Sequence, residues 1–381
     1  MLNEKLDANR MAKNRNVLFI LLDQLRADSI AHLGNSKVKT PHIDALAMSG
    51  VSFAKAFCQT NPCGPSRMSI FTSTYLCRNR TSTNCVPTIN AEENLGMDLR
   101  LHGYQPQLLG YNDYALDPRI LEEGDPRKTT HNYHNVLPGF NWFFDHEYDS
   151  KEYFESLLKK GYSKELSTPK IHKPNVSVDA HPDSAPCAFP AHYPKEDSEC
   201  WFLTDELCKC INLEQEKVNN GLLPGWFISI NYIKPHPPIV GVKEFLDLYA
   251  WQDMPLPPID PSAIEDLHPM VSIFKTKEKK SDEWIQTVIR CYYAMITEVD
   301  YQIGRTLDFL KSSGILEDTI IILSSDHGEY NYNHGMVNKK FCFDETMHIP
   351  LIIVDPGSQA SGLRGQVVDH LAESIQRFLI Y

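Results

Sequence analysis

Two short motifs near opposite ends of the chain carry side chains that could bind a divalent metal. Asp23-Gln24 follows the apolar run 16–22, and Asp326-His327 follows the apolar run 319–324. Asp and Gln oxygens together with a His nitrogen suit Mg²⁺, Mn²⁺ or Ca²⁺ better than a metal that prefers thiolates. We therefore predict that the two motifs share one divalent-metal site.

A third motif, Asn61-Pro-Cys-Gly-Pro-Ser-Arg67, contains a candidate nucleophile. Pro65 suits the first turn of a helix, so Cys63 is expected at a helix N-terminus, where free N–H groups and the helix dipole favour an anion. Arg67 lies one turn further on and could fork onto that anion or orient the nucleophile. An isolated Cys is more often a small buried apolar residue. Together with the two metal motifs, however, Cys63 and Arg67 indicate a site for a tetrahedral anion.

The spacing of this motif disfavours a thiolate nucleophile of the thiol-phosphatase kind. Only three residues separate Cys63 from Arg67, which is too short for the loop that cradles the anion in that chemistry. His236, in the rigid stretch Lys234-Pro-His-Pro-Pro238, and Lys339 are candidate proton donors or ligands of substrate oxygens. Taken singly, His and Lys residues are more often surface or structural groups.

The order of the predicted elements indicates an α/β fold that brings these motifs together. Buried strands are predicted at 16–22, 225–232, 319–324 and 350–354, with shorter ones from 50 and at 107–111. Helices are predicted at 40–48, from the Cys63 motif to 76, and at 90–102, 197–218 and 283–312. Alternation of strands and helices predicts a mainly parallel sheet with helices on both faces. Such sheets place their sites at the carboxyl ends of the strands.

Composition narrows the class of protein further. The 381 residues fit one large α/β domain or two ordinary ones, and we expect a loose leader at 1–15 and irregular loops or a cap at about 113–200 and 241–280. A net charge of −12 argues against a nucleic-acid binder or a membrane-surface protein. Ten Cys without framework spacing suit a reducing compartment, and no apolar run approaches a membrane span, so a cytoplasmic protein is expected.

The segment Cys63-Gly-Pro-Ser-Arg67 resembles the signature of the sulfatase family, and Asp23 and Asp326-His-Gly328 resemble its metal-binding positions. The resemblance runs from about residue 16 to about 375. It implies an alkaline-phosphatase-like fold, one divalent metal held by Asp23, Gln24, Asp326, His327 and the residue at 63, and hydrolysis of a small anionic ester. It also implies that Cys63 is oxidised to formylglycine by a formylglycine-generating enzyme, and that S–O or P–O cleavage proceeds through a covalent ester on the formylglycine hydrate.

Within the superfamily the sequence is most similar to the phosphonate monoester hydrolase/phosphodiesterase branch and related bacterial arylsulfatases. The resemblance lies in the phrases Asn61–Arg67, Leu109-Gly-Tyr111, Asp117-Pro-Arg119, Lys234–Pro238, Thr297-Glu-Val-Asp300 and Ser325–Glu329. It implies that the substrate oxygens are lined by Asn84, Tyr111, His236 and Lys339. Gln24 stands where many sulfatases have an Asp, and Asp113 stands where the phosphonate hydrolases have a hydroxyl residue. The choice between sulfate and phosphonate or phosphodiester substrates therefore stays open.

Two other functions are compatible with the sequence. A metal phosphatase with a Ser or Thr nucleophile is disfavoured because Cys63 occupies that place. The second alternative is a truncated, inactive relative that acts as a binding protein. Relatives are expected to continue into a small C-terminal subdomain, which is largely missing here, and residues 376–381 form a divergent tail. The sequence is also compatible with a homo-oligomer.

Overall fold

A mixed eight-stranded sheet organises the part of the chain that the structure describes. This computed structural model describes residues 15–125, 128, 135–147, 150–176, 184–258, 269–274, 280–357 and 362–374. The strands along the chain are β1 (Asn16–Asp23), β2 (Val51–Phe57), β3 (Gln107–Gly110), β4 (Asn141–Asp145), β5 (Phe227–Pro235), β6 (Thr319–Ser325), β7 (Leu351–Val354) and β8 (Gln366–Glu373). Their spatial order is β4-β3-β5-β1-β6-β7-β2-β8. Among these strands only β7 pairs antiparallel with its neighbours, so the predicted, mainly parallel α/β sheet is confirmed.

The register of the parallel strands determines which loops meet at one edge of the sheet. Leu22 at the end of β1 pairs with Ser325 on β6, and Asp23 pairs with Pro235 on β5. On the other side of β5, Leu109 of β3 pairs with Ile230. The segments that follow these four strands therefore leave the sheet side by side, although they are far apart in the sequence.

The helices in chain order are α1 (Pro41–Ser49), α2 (Cys63–Thr72), α3 (Leu76–Asn79), α4 (Leu95–Leu101), α5 (Lys151–Lys159), α6 (Glu199–Asn219), α7 (Lys243–Leu246), α8 (Pro269–Phe274), α9 (Asp282–Ser312) and α10 (Asp344–Met347). Alternate residues of the fully buried β1 face two apolar clusters. Leu18 and Ile20 pack in the cluster that includes residues of α1, α5, α6 and α9. Phe19 and Leu21 pack in the other cluster, with residues of α2 and α4. Helices therefore cover both faces of the sheet, as predicted.

Local contacts explain where the helices differ from the predicted bounds. The helix predicted at 90–102 begins at Leu95, because the Asn94 side chain accepts hydrogen bonds from the N–H groups of Gly96 and Met97. The helix of the third motif begins at Cys63 itself and ends at Thr72, where the next residue turns left-handed, and residue 76 starts a separate helix.

The irregular region predicted at about 113–200 contains strand β4 and helix α5 among its described residues. Strand β4 extends the sheet beside β3, and helix α5 buries Tyr153, Phe154 and Leu157 in the larger apolar cluster. The Pro- and His-rich composition of the surrounding chain hides these two short elements. Residues 177–183, most of the predicted leader, and the tail at 376–381 lie outside the described residues. Within the described part of the chain, no helix is long and apolar enough to cross a membrane.

The buried carboxylate of Asp300 in α9 provides a test of how the helices are joined. Its Oδ1 accepts hydrogen bonds from the N–H groups of His42 (3.0 Å) and Ile43 (2.7 Å) in the first turn of α1. Asp300→Ala leaves these two donors without their partner, so we expect a loss of about 2 kcal/mol in the free energy of unfolding by urea. The exposed Asp308 of the same helix is the control, and Asp308→Ala should cost less than about 0.5 kcal/mol. Equal effects of the two variants would contradict this account.

Candidate active site

The loops at the sheet edge bring four potential metal ligands into one buried cluster. Asp23 ends β1, Asp326 and His327 follow β6, and Cys63 is the first residue of α2. One ligand atom from each of these four residues lies within 4.8 Å of the others. All four side chains are buried. The structure thus brings together the two metal motifs and the predicted nucleophile position.

Hydrogen bonds to the backbone orient the ligands of this cluster. His327 Nδ1 lies 3.0 Å from the Gly328 carbonyl oxygen, so its N–H donates there and Nε2 is left facing the cluster. Nε2 lies 3.3 Å from Cys63 Sγ and 3.7 Å from Asp23 Oδ1. Burial lowers the pKa of His327 to about 4, although nearby Asp326 opposes that shift. The imidazole is therefore neutral near pH 7, which is the form that binds a metal.

Arg67 is fully buried against both carboxylates. Its Nε donates to Asp326 Oδ2 at 2.9 Å, and one terminal nitrogen lies 3.4 Å from Asp23 Oδ2. The guanidinium also donates to the Tyr111 carbonyl at 3.1 Å and lies 4.1 Å from the centre of the Tyr111 ring. Of the two roles predicted for Arg67, this geometry favours orienting the site, because its donors are already engaged by protein groups.

Asp23 is surrounded by cationic and polar groups. Burial raises the pKa of its carboxyl, but His236, Lys339, His327 and Arg67 outweigh burial and hold the pKa well below its usual range. The Tyr111 hydroxyl donates to Asp23 Oδ2 as well. Asp23 is consequently an anion in the folded protein and a competent ligand for a hard cation.

A carboxylate that we did not single out, Glu329, fixes Gln24 and the segment that carries Lys339. Gln24 Nε2 donates to Glu329 Oε2, so Gln24 Oε1 is turned toward Lys339, whose Nζ donates to it at 2.8 Å. Glu329 Oε1 accepts from the N–H groups of Asn331 (3.1 Å) and Asn338 (2.7 Å). Glu329 directly follows the Asp-His-Gly motif, which is the only sequence signal that pointed to it.

The predicted substrate-lining residues have more varied settings. Asn84 Oδ1 accepts from the Gly64 N–H at 3.0 Å, which places Asn84 beside the start of α2. Asp113 is buried in a left-handed backbone conformation (φ +55°). Burial raises the pKa of Asp113 to about 7, with Arg67 acting in the opposite direction. His236 follows β5, and its Nδ1 lies 2.6 Å from the Pro237 carbonyl oxygen.

Cys63 itself is unsuited to react as a thiolate. Burial raises the pKa of its thiol well above the ordinary value, and the charges of Asp23 and Asp326 raise it further, against the lowering effect of Lys339. A neutral thiol is a weak nucleophile, since the thiolate is the reactive form. The setting of Cys63 therefore also argues against a thiol-phosphatase mechanism.

The fold and the ligand cluster define an ester-bond hydrolase of the alkaline phosphatase superfamily. A family model described as sulfatase matches residues 15–376. The chain belongs to the sulfatase family. The match confirms the family and the fold class that the sequence predicted.

Similarity to individual named proteins supports this membership. The chain is 31% identical over 382 residues to the multifunctional alkaline phosphatase superfamily protein PehA of Trinickia caryophylli, covering 95% of this chain and 72% of PehA. It is 24% identical to an arylsulfatase of Clostridium perfringens, covering 94% of this chain and 72% of that protein. The crystal structure of a phosphonate monoester hydrolase of Agrobacterium radiobacter superposes with a TM-score of 0.85 at 31% identity, covering 96% of this chain and 72% of that chain. The reaction class of the chain is thus hydrolysis of sulfate or phosphonate esters.

Replacing Arg67 tests whether it balances the charge of the cluster. Arg67→Met keeps an unbranched side chain as far as the position of Nε but removes the guanidinium that pairs with Asp23 and Asp326. We expect it to lower the free energy of unfolding by about 3 kcal/mol in the presence of a chelator. Arg305, which forms a partly exposed ion pair with Asp205 at 2.7 Å, is the control. Arg305→Met should cost about 1 kcal/mol or less, and a similar loss in both variants would argue against the assigned role of Arg67.

Proposed function

We propose that the chain is a metal-dependent formylglycine hydrolase that cleaves sulfate esters, phosphonate monoesters or phosphodiesters. The observation that carries the proposal is the position of Cys63, at the start of α2 and within 4.8 Å of ligand atoms of Asp23, Asp326 and His327. Because its thiol stays protonated, Cys63 in this setting is better suited to be the precursor of formylglycine than the nucleophile itself.

The side chains of the cluster fit a hard divalent cation. Two carboxylates, a neutral imidazole and the amide oxygen of Gln24 are the donor types that Mg²⁺, Mn²⁺ and Ca²⁺ accept. In the proposal Asp23, Gln24, Asp326 and His327 hold the cation. When bound, it supplies Lewis-acid polarisation of an ester oxygen and a lower pKa for a hydroxyl of the formylglycine hydrate.

Lys339 supplies a positive charge beside the cluster. Its Nζ donates to Gln24 Oε1 at 2.8 Å and lies 3.9 Å from Asp23 Oδ1. Burial lowers the pKa of Lys339, but electrostatic interactions with neighbouring groups, among them the carboxylates of Asp23 and Asp326, outweigh burial and raise the pKa, so the amine stays protonated. A buried ammonium beside the reacting group can stabilise the negative charge that spreads over the ester oxygens in the transition state.

His236 is suited to protonate the departing alkoxide. Its Nδ1–H is directed at the Pro237 carbonyl oxygen, which leaves Nε2 for the substrate. Burial lowers the pKa of His236, whereas Asp23 raises it. Burial prevails, so the pKa of His236 is lowered overall. An anionic ester beside the ring would raise it again, and the imidazolium form can then donate a proton from Nε2 to the leaving oxygen.

The protonation state of Asp113 affects how well the site accepts an anionic ester. Its protonated form can donate a hydrogen bond to a non-bridging ester oxygen, whereas its ionised form repels an anion. Sulfate monoesters, phosphonate monoesters and phosphodiesters all carry a single negative charge near pH 7, so each is compatible with a protonated Asp113. The alternative of a non-catalytic binding protein is less well supported, because four potential metal ligands lie within 4.8 Å of one another and the Lys339 amine lies beside them.

Mass spectrometry of the peptide that contains residue 63 tests the nucleophile. In protein produced with a formylglycine-generating enzyme, we expect an aldehyde or its hydrate at position 63 and turnover of an aryl sulfate or an aryl phosphonate monoester. Cys63→Ala should lose turnover, and a chelator should abolish it until Mn²⁺, Mg²⁺ or Ca²⁺ is added back. Cys77→Ala, at an exposed Cys, is the control and should remain active. Full activity with an unmodified thiol at 63 would refute the proposal.

The pH dependence of catalysis tests Asp113. As the pH rises through about 7 the carboxyl ionises, so kcat/KM for an anionic ester should fall by about tenfold per pH unit above that value. Asp113→Asn cannot ionise and should flatten this limb of the profile. Asp117→Asn, four residues away at a carboxylate that pairs with Arg119, should leave the limb in place. An unchanged limb in Asp113→Asn would assign it to another group.

A further inference from the structure

Three residues near the ligand cluster have a backbone conformation that residues with side chains normally avoid. Gln24 has a φ of +73°, Asn331 a φ of +46° and Asn338 a φ of +65°. A left-handed backbone is unfavourable for a residue other than glycine, and it persists where the surrounding contacts hold it. Such residues are concentrated at functional sites. The hydrogen bonds that hold these three residues should therefore serve the site.

All three of these residues are hydrogen-bonded to one carboxylate, that of Glu329. Its Oε2 accepts from the Gln24 side-chain amide, and its Oε1 accepts from the N–H groups of Asn331 (3.1 Å) and Asn338 (2.7 Å). Glu329 is buried and lies only two residues after the potential ligand His327. One oxygen thus holds the residue that follows β1, and the other holds the segment that follows β6.

The bond to Glu329 determines which end of the Gln24 side chain faces the cluster. The Gln24 backbone is fixed separately, because its N–H donates to Asp326 Oδ1 at 3.1 Å and its carbonyl accepts from the Tyr292 hydroxyl at 2.7 Å. Rotation of the amide would still exchange its oxygen and its NH₂ group. A carboxylate accepts hydrogen bonds, so Glu329 binds the NH₂ group and leaves Oε1 for Lys339 and for a cation.

The same carboxylate fixes the segment that carries Lys339. Asn338, directly before Lys339, donates its N–H to Glu329 and accepts from the Tyr330 N–H at 3.0 Å. The carbonyl of Lys340, directly after Lys339, accepts from the Tyr330 hydroxyl. Lys339 therefore lies between two anchored residues, and loss of the Glu329 carboxylate would release one of these anchors.

We propose that Glu329 is a positioning residue, which holds the Gln24 oxygen toward the cation and the Lys339 ammonium toward the ester. Glu329 acts through these two side chains. The left-handed conformations are retained because they direct both groups at the same place. This inference rests on the proposed function for the roles of Gln24 and Lys339, but its first test needs no turnover.

Glu329→Gln tests this role with little change in shape. The new amide oxygen can still accept from the two backbone N–H groups, but the new NH₂ group faces the NH₂ group of Gln24. Because the Gln24 amide must then rotate or move, we expect the dissociation constant for Mn²⁺ to rise about tenfold. The electron paramagnetic resonance signal of free Mn²⁺ measures it. An unchanged dissociation constant would overturn the inference.

The kinetic constants at saturating Mn²⁺ test the effect on Lys339. Because this ammonium is assigned to the transition state, kcat of Glu329→Gln for an aryl sulfate or an aryl phosphonate monoester should fall about 100-fold, with KM changed less than about threefold. A rise in KM at unchanged kcat would contradict the role, since it would indicate that only ground-state binding had been lost.

A reciprocal exchange distinguishes positioning from a general loss of structure. In Gln24→Glu/Glu329→Gln, a donor again faces an acceptor, and the carboxylate introduced at 24 can also accept from Lys339. We expect Gln24→Glu alone to be impaired, because two buried carboxylates then face each other. The double variant should exceed each single variant about tenfold in kcat. No gain over Gln24→Glu would overturn the inference, and this comparison stands even if Glu329→Gln does not fold.

Glu345→Gln is the matched control. Glu345 is a partly buried carboxylate that pairs with His334 of the same segment at 3.2 Å. Its replacement should change the Mn²⁺ dissociation constant and kcat less than about twofold, and losses equal to those of Glu329→Gln would overturn the specific role of Glu329. If the unmutated protein hydrolyses no ester, the proposed function fails, whereas the Mn²⁺ titration still decides whether Glu329 positions Gln24.

Discussion

The burial of two carboxylates against one guanidinium is the interaction on which the site depends. Asp23, Asp326 and Arg67 are all fully shielded from solvent. Removing these charges from water costs several kcal/mol for each ion, and only close pairing with further hydrogen bonds offsets that cost. The backbone N–H groups of Gln24 and His327, which both donate to Asp326 Oδ1, supply such bonds. These contacts between protein groups therefore hold the ends of β1 and β6 to each other and to α2.

Parallel pairing of the strands brings these charged groups together at one edge of the sheet. Tyr111, His236, Asp23 and Asp326 lie at the ends of four neighbouring strands that all run in the same direction, so these polar groups converge at one edge. The apolar residues of those strands anchor the edge in two clusters on opposite faces of the sheet. Rigid strands thus set the position of the ligands, whereas short loops set their orientation through backbone hydrogen bonds. A substrate meets groups that are already positioned, which reduces the reorganisation needed during catalysis.

The features predicted correctly from the sequence depend on short-range patterns. Continuous apolar runs identified the buried strands, and the Cys63 motif identified both a helix start and the family. Features that depend on tertiary contacts were missed. Strand β4 is short, and the amphipathic pattern of helix α5 was overlooked within Pro- and His-rich surroundings; β4 pairs with β3, and α5 packs in the larger apolar cluster. The role of Glu329 depends on a hydrogen bond to a residue 305 positions away, and the engagement of Arg67 by two carboxylates cannot be read from spacing.

The bond between Gln24 and Glu329 links the evolution of two positions. Because the Gln24 amide donates to Glu329, a carboxylate at position 24 would face another carboxylate in a buried setting, where like charges repel strongly. Substitutions at the two positions are consequently epistatic, and an Asp at 24 calls for a hydrogen-bond donor at 329. Glu329 also accepts from the segment that carries Lys339. The residue at position 24 and the placement of the Lys339 ammonium thus depend on each other through Glu329.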